Sequence, residues 1–407
     1  MVPVRVLLSE GSSLTAREVV TCLGPLGFHL EALDPEPLCL ARFSRWVRKV
    51  HPCPRSGTDP LGYLEAVKRL VADSGIDVVL PTHEQAWLFA AARSQLHTLP
   101  VAVADIASFD RVQSKVEFAR LLDELGLPQP RWRLVARERD LVGLPFPYWL
   151  KAAFSTAGRG VRLVADPHSR AVAQGELLEH AGAPVMAQQP ANGQYGQVQG
   201  IFDHGRLVAV HTSVQTGTGI GPSAAARLSV DHPAARRDIQ VLGEALAWHG
   251  GLTLDYLHEQ GAPQYIECNP RTVEPGNSAA SGVNLTELQV RLTLGEHLPS
   301  PPPIGAAGVR THGTIALLLG AAAYRGTRRA VIAELARAVS RRGKYDASRE
   351  QLTPVLRDPP STAALAFVIG QTLASPGAAT RTAGDTVTRY SLTREAIATL
   401  AATTDRM

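Results

Sequence analysis

The chain reads as an α/β protein: a parallel-sheet first part, an antiparallel α+β middle and a smaller, mainly helical end. Three observations predict this. Strand-like and helix-like segments alternate from Val4 to about Asp105, pairs of alternating apolar segments facing each other across short turns follow, and a Pro-rich break, Leu298-Pro-Ser-Pro-Pro-Pro-Ile304, precedes a run of helical periodicity. The corresponding division is 1–105, 106–297 and 298–407. At 407 residues the chain is long enough for two or three domains with sizeable cores, and 45% hydrophobic with 19% charged residues is a globular balance.

In the first part, Val4 to Leu8 reads as a strand, Thr15 to Leu23 as a helix stopped by Gly24, and Phe28 to Leu33 as a second strand. A helix from Asp59 to Ser74, a strand from Ile76 to Leu80, a helix from His83 to Leu96 and a strand from Val101 to Val103 follow. Strands alternating with helices imply a parallel sheet covered on both faces. A dinucleotide site is excluded, because the first strand runs into Ser9-Glu-Gly-Ser-Ser-Leu14 rather than GxGxxG. Glu10, Gly11 and Ser12, and later Thr82, His83 and Glu84, follow strand ends, where open α/β sheets place ligands. Each of these residue types also serves as an ordinary turn or helix cap.

The middle opens with an amphipathic helix from Asp110 to Gly126, with Val112, Val116, Phe118, Leu121, Leu122 and Leu125 at helical spacing. Lys115 sits inside it, and Leu127-Pro-Gln-Pro130 follows. Phe146 to Val164 reads as two antiparallel strands joined by a loop of small residues that includes Ser155, Thr156, Gly158 and Gly160. Successive backbone N–H groups in such a loop form an anion-binding concavity, and Lys151 leaves the strand well placed to neutralise a phosphate. No GxxxxGK[ST] is present, so this is not a Walker loop. The 41 basic residues comprise only five lysines (Lys49, Lys68, Lys115, Lys151, Lys344), and in a chain that uses Arg almost everywhere a Lys marks a place for a compact, flexible ammonium. A helix from Arg170 to Ala181, a strand from Pro184 to Pro190, and a hairpin of Gln197 to Phe202 with Arg206 to Val214 complete this stretch. Thr216 to Arg227 contains a GxGxG run, but Pro222 and the small residues make it a loop rather than a dinucleotide turn.

Leu252 to Leu257 and Gln264 to Asn269 form a hairpin centred on Gly261, which sets Asp255 opposite Glu267. Side chains alternate, so Asp255, Glu267 and Asn269 share a polar face while Ile266 and Cys268 turn to an apolar one. Facing carboxylates repel unless something lies between them. A hard divalent cation such as Mg²⁺ with its oxygen ligands would serve, and a solvated pair of carboxylates is the alternative. Pro275 to Asn284 is again loop-like, and Leu285 to Leu294 a helix.

Glu267-Cys-Asn269-Pro-Arg271, with Asp255 a dozen residues earlier, resembles the closing strand of the nucleotide-binding half of the ATP-grasp superfamily, Glu-x-Asn-x-Arg preceded by another metal-binding acid. The resemblance covers roughly Met1 to Gly295. It implies an ATP-grasp fold in which Asp255, Glu267 and Asn269 hold Mg²⁺, with Mn²⁺ as a substitute, on the phosphates of ATP. It further implies that Lys115, on a helix leading to a Gly-Leu-Pro-x-Pro turn, reaches those phosphates, that the loop at Ser155, Thr156, Gly158 and Gly160 is the phosphate lid, and that Lys151 and Arg271 act in catalysis. Backbone groups near Gln188, Gln189 and Pro190 would pair the adenine edge. Relatives often carry Glu for the ribose, where this chain has Gln188, Gln189 and Gln194. Glu10, Glu84, His211, Ser223, Arg227 and Asn277 would contact substrate, although all are also ordinary as loop residues.

The implied reaction is ATP-driven activation of a small-molecule carboxylate as an acyl phosphate, then attack by an amine to give an amide or peptide-like bond with ADP and phosphate. Bicarbonate activation is a rival without a biotin-carrier segment or glutaminase module in this chain. An ATP-binding regulatory protein without chemistry is another, which a missing metal ligand or lysine would indicate, and neither is missing. Cys22, Cys39, Cys53 and Cys268 form no CxxC pair and read as reduced packing residues. A net charge of +4 does not argue for nucleic acid, and the absence of a membrane-length apolar run or signal peptide leads to the expectation of a cytoplasmic protein. A homodimer is compatible with these features. The end of the chain holds an apolar helix from Thr314 to Ala323, a basic helix from Thr327 to Arg342 whose arginines read as a solvated face, an apolar helix from Ser361 to Leu373, and a final strand and helix.

Overall fold

The computed structural model describes residues 3–93, 99–154, 160–178, 184–221, 223–393, 396–397 and 400. The first sheet is parallel: β1 (Arg5–Leu8), β2 (His29–Asp34), β3 (Val47–Pro52) and β4 (Val78–Leu80) lie in the order β3-β2-β1-β4. Val6, Leu7 and Leu8 are fully buried, because α1 (Leu14–Leu23) packs on Val6 and Leu8 while α2 (Pro60–Ser74) packs on Leu7 from the other face. Sequence reasoning misses β3, whose Val-Arg-Lys-Val-His-Pro has the charges and proline of an edge strand. Val101 to Val103, expected as a strand, is not one: Val79 N–H donates to the Pro100 carbonyl, but the Val101 N–H turns back to Leu99 and the ladder ends there. The helix expected from His83 is α3 (Gln85–Ala91), and residues 94–98 lie outside the described residues.

The apolar repeat from Asp110 to Gly126 belongs to two helices, α4 (Ile106–Gln113) and α5 (Lys115–Glu124). Ser114 separates them in an extended conformation (φ −78°, ψ 123°), and its hydroxyl accepts the Glu117 N–H at 3.3 Å. The periodicity reads through this break because both helices have a buried apolar side, with Phe109 and Val112 on one and Val116, Phe118, Leu121 and Leu122 on the other. Lys115 becomes the first residue of a helix, its N–H donated to the Ala153 carbonyl at 2.8 Å. Ser114→Ala is expected to cost about 1 kcal/mol in urea unfolding. A loss below about 0.3 kcal/mol would mean that the bond to Ala153 holds the break by itself.

A small antiparallel sheet comes next, formed by β5 (Trp132–Val135), β6 (Tyr148–Ala152), β7 (Val161–Val164) and, beyond α6 (Pro167–Leu177), β8 (Val185–Gln188), in the order β5-β8-β6-β7. α6 starts before the expected Arg170 because Asp166 caps it, accepting the Ser169 N–H at 2.7 Å.

The large sheet runs β13-β12-β9-β10-β11-β14-β15, from β9 (Gln194–Asp203), β10 (Arg206–Thr218), β11 (Ala224–Ser229), β12 (Gly250–Glu259), β13 (Ala262–Asn269), β14 (Arg310–His312) and β15 (Ser348–Glu350). Both expected hairpins are present. In the second, Gln260 and Gly261 have φ of 51° and 83°, the two-residue turn whose twist matches that of the strands. β11 is a correction: Ala224-Ala-Ala-Arg227 offers no bulky alternation and reads as loop, yet it pairs with β10 on one side and β14 on the other. α7 (Pro233–Ala245) precedes β12. Within the stretch expected as loop, α8 (Gly276–Ala280) forms a short helix, and α9 (Leu285–Thr293) follows.

Beyond the Pro-rich break, β14 and β15 rejoin this sheet, parallel to each other, and α10 (Thr314–Arg325) seats Ala316 and Leu317 on Ala225 and Ala226 of β11. α11 (Arg328–Ser340), α12 (Ser361–Ala374) and α13 (Ala379–Tyr390) pack beside it, and no final strand occurs among the described residues. Arg328, Arg329, Arg337, Arg341 and Arg342 are all exposed, as a solvated face requires. The chain then crosses back to the first sheet: the Leu392 N–H donates to Glu84 at 2.7 Å and Gln85 donates to the Tyr390 carbonyl at 3.1 Å. Among the described residues no helix is long and apolar enough to cross a membrane.

Candidate active site

The register of the large sheet puts Asp255 of β12 between Glu267 of β13 and Gln197 of β9. Its two oxygens accept the Gln197 amide at 2.7 Å and the Asn269 amide at 3.2 Å. Burial, and next the charge of Glu267, push the Asp255 carboxyl up to about 7. Burial alone would raise Glu267 as well, but Lys115 Nζ at 3.0 Å, with Lys151 and Arg271 beyond it, holds its carboxyl below the ordinary value. The face is therefore less bare than a pair of facing carboxylates suggests. Lys115 supplies a countercharge to Glu267 that the facing carboxylates alone do not reveal.

Lys151, the penultimate residue of β6, is 7% exposed. Its ammonium donates to the Gln188 side chain at 2.6 Å and to the Ile266 carbonyl at 3.3 Å. Burial, with the positive charge of Lys115 adding to it and Glu267 opposing, pushes it down to about 8. Arg271, two residues past Asn269, approaches His83 Nε2 at 3.4 Å, and its Nε is buried without a hydrogen-bond partner among the described residues. His83 follows β4 and packs against the Tyr390 ring at a centroid distance of 4.2 Å, the two rings tilted by 48°, while burial and then Arg271 keep its imidazole well below the ordinary value. Glu84 lies close enough for its charge to favour the protonated Arg271. Asp255, Glu267, Asn269, Lys115, Lys151, Gln188 and Arg271 thus converge, with His83 and Glu84 arriving from the first sheet.

Other expected residues lie elsewhere or are already occupied. The Glu10 carboxylate accepts four bonds, from the Ser12 and Ser13 N–H groups and the Ser13 and Thr82 hydroxyls, and so organises the turn after β1. His211, 1% exposed, is held between Asn277 at 2.8 Å and Ser281 at 3.2 Å, and Asn277 spends its amide on Thr311 and the Val309 carbonyl. Both belong to one internal hydrogen-bonded knot. The Gln189 N–H is donated to the Arg131 carbonyl at 2.8 Å and is not free for an adenine edge. Pro190 is half-buried, and Gln194 is exposed with its amide on the Gln215 carbonyl at 3.3 Å. The Gly160 carbonyl accepts the Ala152 N–H at 2.8 Å, closing the base of the β6–β7 hairpin, while Ser155, Thr156 and Gly158 lie outside the described residues. Ser223 and Arg227 line a separate pocket with Glu18 and Glu274.

Sequence reasoning misses Gln197, Glu18 and Glu274. The alternation Tyr195, Gln197, Gln199 along β9 is the signal that could have found the first. No sequence spacing relates Glu18 of α1 to Glu274, 256 residues on.

No family model matches the chain. It is 24% identical over 216 residues to the carbamoyl phosphate synthase large chain of Thermomicrobium roseum, a match that takes in 49% of this chain and 20% of that protein. The chain therefore spans about a fifth of the length of this curated relative. Among solved structures it is similar to an L-amino acid ligase from Bacillus licheniformis, with 16% identity, TM-score 0.55 and coverage of 72% of this chain and 74% of that one. It is similar to the biotin carboxylase domain of the Hydrogenobacter thermophilus 2-oxoglutarate carboxylase, solved with MgADP and bicarbonate, at 17% identity, TM-score 0.58 and coverage of 73% and 71%. N5-carboxyaminoimidazole ribonucleotide synthetase from Thermus thermophilus is a third such structure, at 18% identity, TM-score 0.57 and coverage of 75% and 81%.

Proposed function

Because the chain has the ATP-grasp fold, we propose that it is an ATP-dependent ligase that activates a carboxylate as an acyl phosphate and joins it to an amine, releasing ADP and phosphate. The observation that carries this reading is the meeting of two buried lysines and an arginine on the carboxylate face of the β12–β13 hairpin. Asp255, Glu267 and the Asn269 side-chain oxygen form an all-oxygen donor set suited to Mg²⁺ or Mn²⁺, and the Gln197 carbonyl oxygen beside them is buried without a partner among the described residues. When bound, the cation supplies positive charge against the triphosphate. Lys115 and Lys151 bind phosphate oxygens as compact charges, and Arg271 offers a planar fork that orients a carboxylate for in-line attack on the γ-phosphate. Residues 106–297 do this work in the proposed division, with 1–105 contributing His83 and Glu84 at the mouth and 298–407 closing the far edge of the sheet.

A substrate carboxylate labelled with heavy oxygen is expected to pass one label to inorganic phosphate, with ADP as the nucleotide product. Label in AMP, with pyrophosphate released, would mean adenylate chemistry and overturn the mechanism. A second reading is favoured by the structural neighbour solved with MgADP and bicarbonate: activation of bicarbonate in place of an organic acid. Bicarbonate-dependent ADP release without any organic carboxylate would select it.

A further inference from the structure

Away from the candidate active site, the turn between β9 and β10 meets the start of β12. His204 (φ 48°) and Gly205 (φ 89°) form that two-residue turn between the paired Asp203 and Arg206, and the Gly205 N–H donates to the Trp248 carbonyl at 2.7 Å. His249 comes next in the chain, so Asp203, His204 and His249 meet, each offering one ligand atom within 4.8 Å of the others. His204 Nδ1 lies 2.9 Å and His249 Nδ1 3.7 Å from the same oxygen, Asp203 Oδ1, while Arg206 takes Oδ2 at 3.0 Å. At 3.7 Å the His249 contact is too long for a hydrogen bond, and that nitrogen is buried without a hydrogen-bond partner among the described residues. A buried polar atom in this state calls for a partner. Asn-Gly fills such a turn with the least strain, so the turn itself does not require an imidazole at position 204.

We propose that Asp203 Oδ1, His204 Nδ1 and His249 Nδ1 bind one Zn²⁺, with water at the fourth corner, clipping the β9–β10 turn to the start of β12. Two nitrogens and one oxygen suit this borderline cation, and neighbouring ligands of a tetrahedral zinc stand about 3.3–3.4 Å apart, between the 2.9 and 3.7 Å already present. Burial, and next the charge of His204, hold the His249 imidazole down to about 4, so it is neutral at neutral pH, as a ligand must be. His204 Nδ1, hydrogen-bonded to Asp203, takes the metal with its ring proton carried on Nε2. Arg206 fixes the carboxylate through its other oxygen, and Arg206 with Arg93, whose charge reaches His249, are the positive groups that the ligands must outweigh. His249 precedes Asp255 by six residues along the line of β12, about 20 Å at strand rise. The site is therefore separate from the proposed Mg²⁺ face and does not rest on the ligase reading.

The test is calorimetric titration of the full, untagged chain with zinc chloride in excess Mg²⁺, which occupies all-oxygen sites. One Zn²⁺ per chain is expected to bind. His204→Asn puts the residue favoured by the turn in place of the ligand, so its zinc-free melting temperature is expected to be unchanged or higher. Its zinc affinity, and that of His249→Gln, are expected to fall at least about tenfold, the loss that follows from disturbing even a ligand's outer partner. Co²⁺ in place of zinc is expected to give the visible absorption of a tetrahedral site in the wild type, lost in both variants. No zinc binding in excess Mg²⁺, full affinity in either variant, or a cobalt spectrum that either variant retains would overturn the proposal. Failure of ATP binding in a separate titration would sink the ligase reading and leave this result standing.

Discussion

Lys151→Met is expected to bind MgATP ten- to a hundredfold more weakly than the wild type while melting at a slightly higher temperature at pH 7. Loss of a charge-assisted contact to phosphate accounts for the first effect, at about 1.5–3 kcal/mol. The second follows from burial. Lys151 has a folded pKa of about 8, below the ordinary lysine value, so the unfolded chain binds more protons and stability rises with pH through the window from about 8 to 10.5. Below pH 8 the buried ammonium is a full cost of a few kcal/mol, which methionine removes. Against this, methionine leaves the Gln188 oxygen without its donor, a penalty of about 1–3 kcal/mol, so the net gain is about 1 kcal/mol or less. Nucleotide titration and thermal unfolding check the two halves. Unchanged affinity would remove Lys151 from the phosphate site, and a clear drop in melting temperature would make it a structural partner of Gln188.

Glu267→Gln is expected to lower turnover by about 10²–10³-fold, comparable to deleting one preorganised electrostatic contact in an active site. Its effect on the empty protein is decided by competing charges. Removing the carboxylate frees Asp255 from a like neighbour, which favours the fold, but strips Lys115, 8% exposed, of its countercharge. The Glu267 side chain is 40% exposed, so solvent screens the pair and the loss is set at about 1 kcal/mol. Sequence alone predicts the opposite sign, because it shows the facing carboxylates and not the lysine paired with one of them. The Asp255 carboxyl should fall below its wild-type value near 7, where burial and Glu267 now hold it. Because a metal ligand must be deprotonated, Mg²⁺-dependent turnover of the wild type should decline as pH falls below about 7. Wild-type turnover in Glu267→Gln would remove the residue from the metal face.

The hairpin was legible because strand alternation and a Gly-centred turn fix register, and register alone places Asp255 against Glu267. Lys115 was legible as a residue but not as a position: an apolar repeat does not reveal that Ser114 breaks the backbone and brings the lysine to a helix start. β11 escaped because three alanines carry no amphipathic signal and are held by neighbours on both sides. His211 was legible as a residue but not as a buried position. A polar residue in an apolar strand announces a partner, and Asn277 and Ser281 are supplied by segments 66 and 70 residues away. The surroundings of Glu10 were equally hidden, since four donors to one carboxylate are invisible until the turn after β1 is folded.

The bond from Leu392 to Glu84 has a consequence in time. The two groups are separated by 308 residues of chain, so at synthesis rates of about 5–20 residues per second Glu84 waits roughly 15–60 s after it is made for its partner to be made. During that interval His83 lacks the Tyr390 ring, and once Arg271 is made its neighbourhood stands open until Tyr390 follows 119 residues later. Ribosomal order therefore places the last contacts around Arg271 after the hairpin and both lysines have been made.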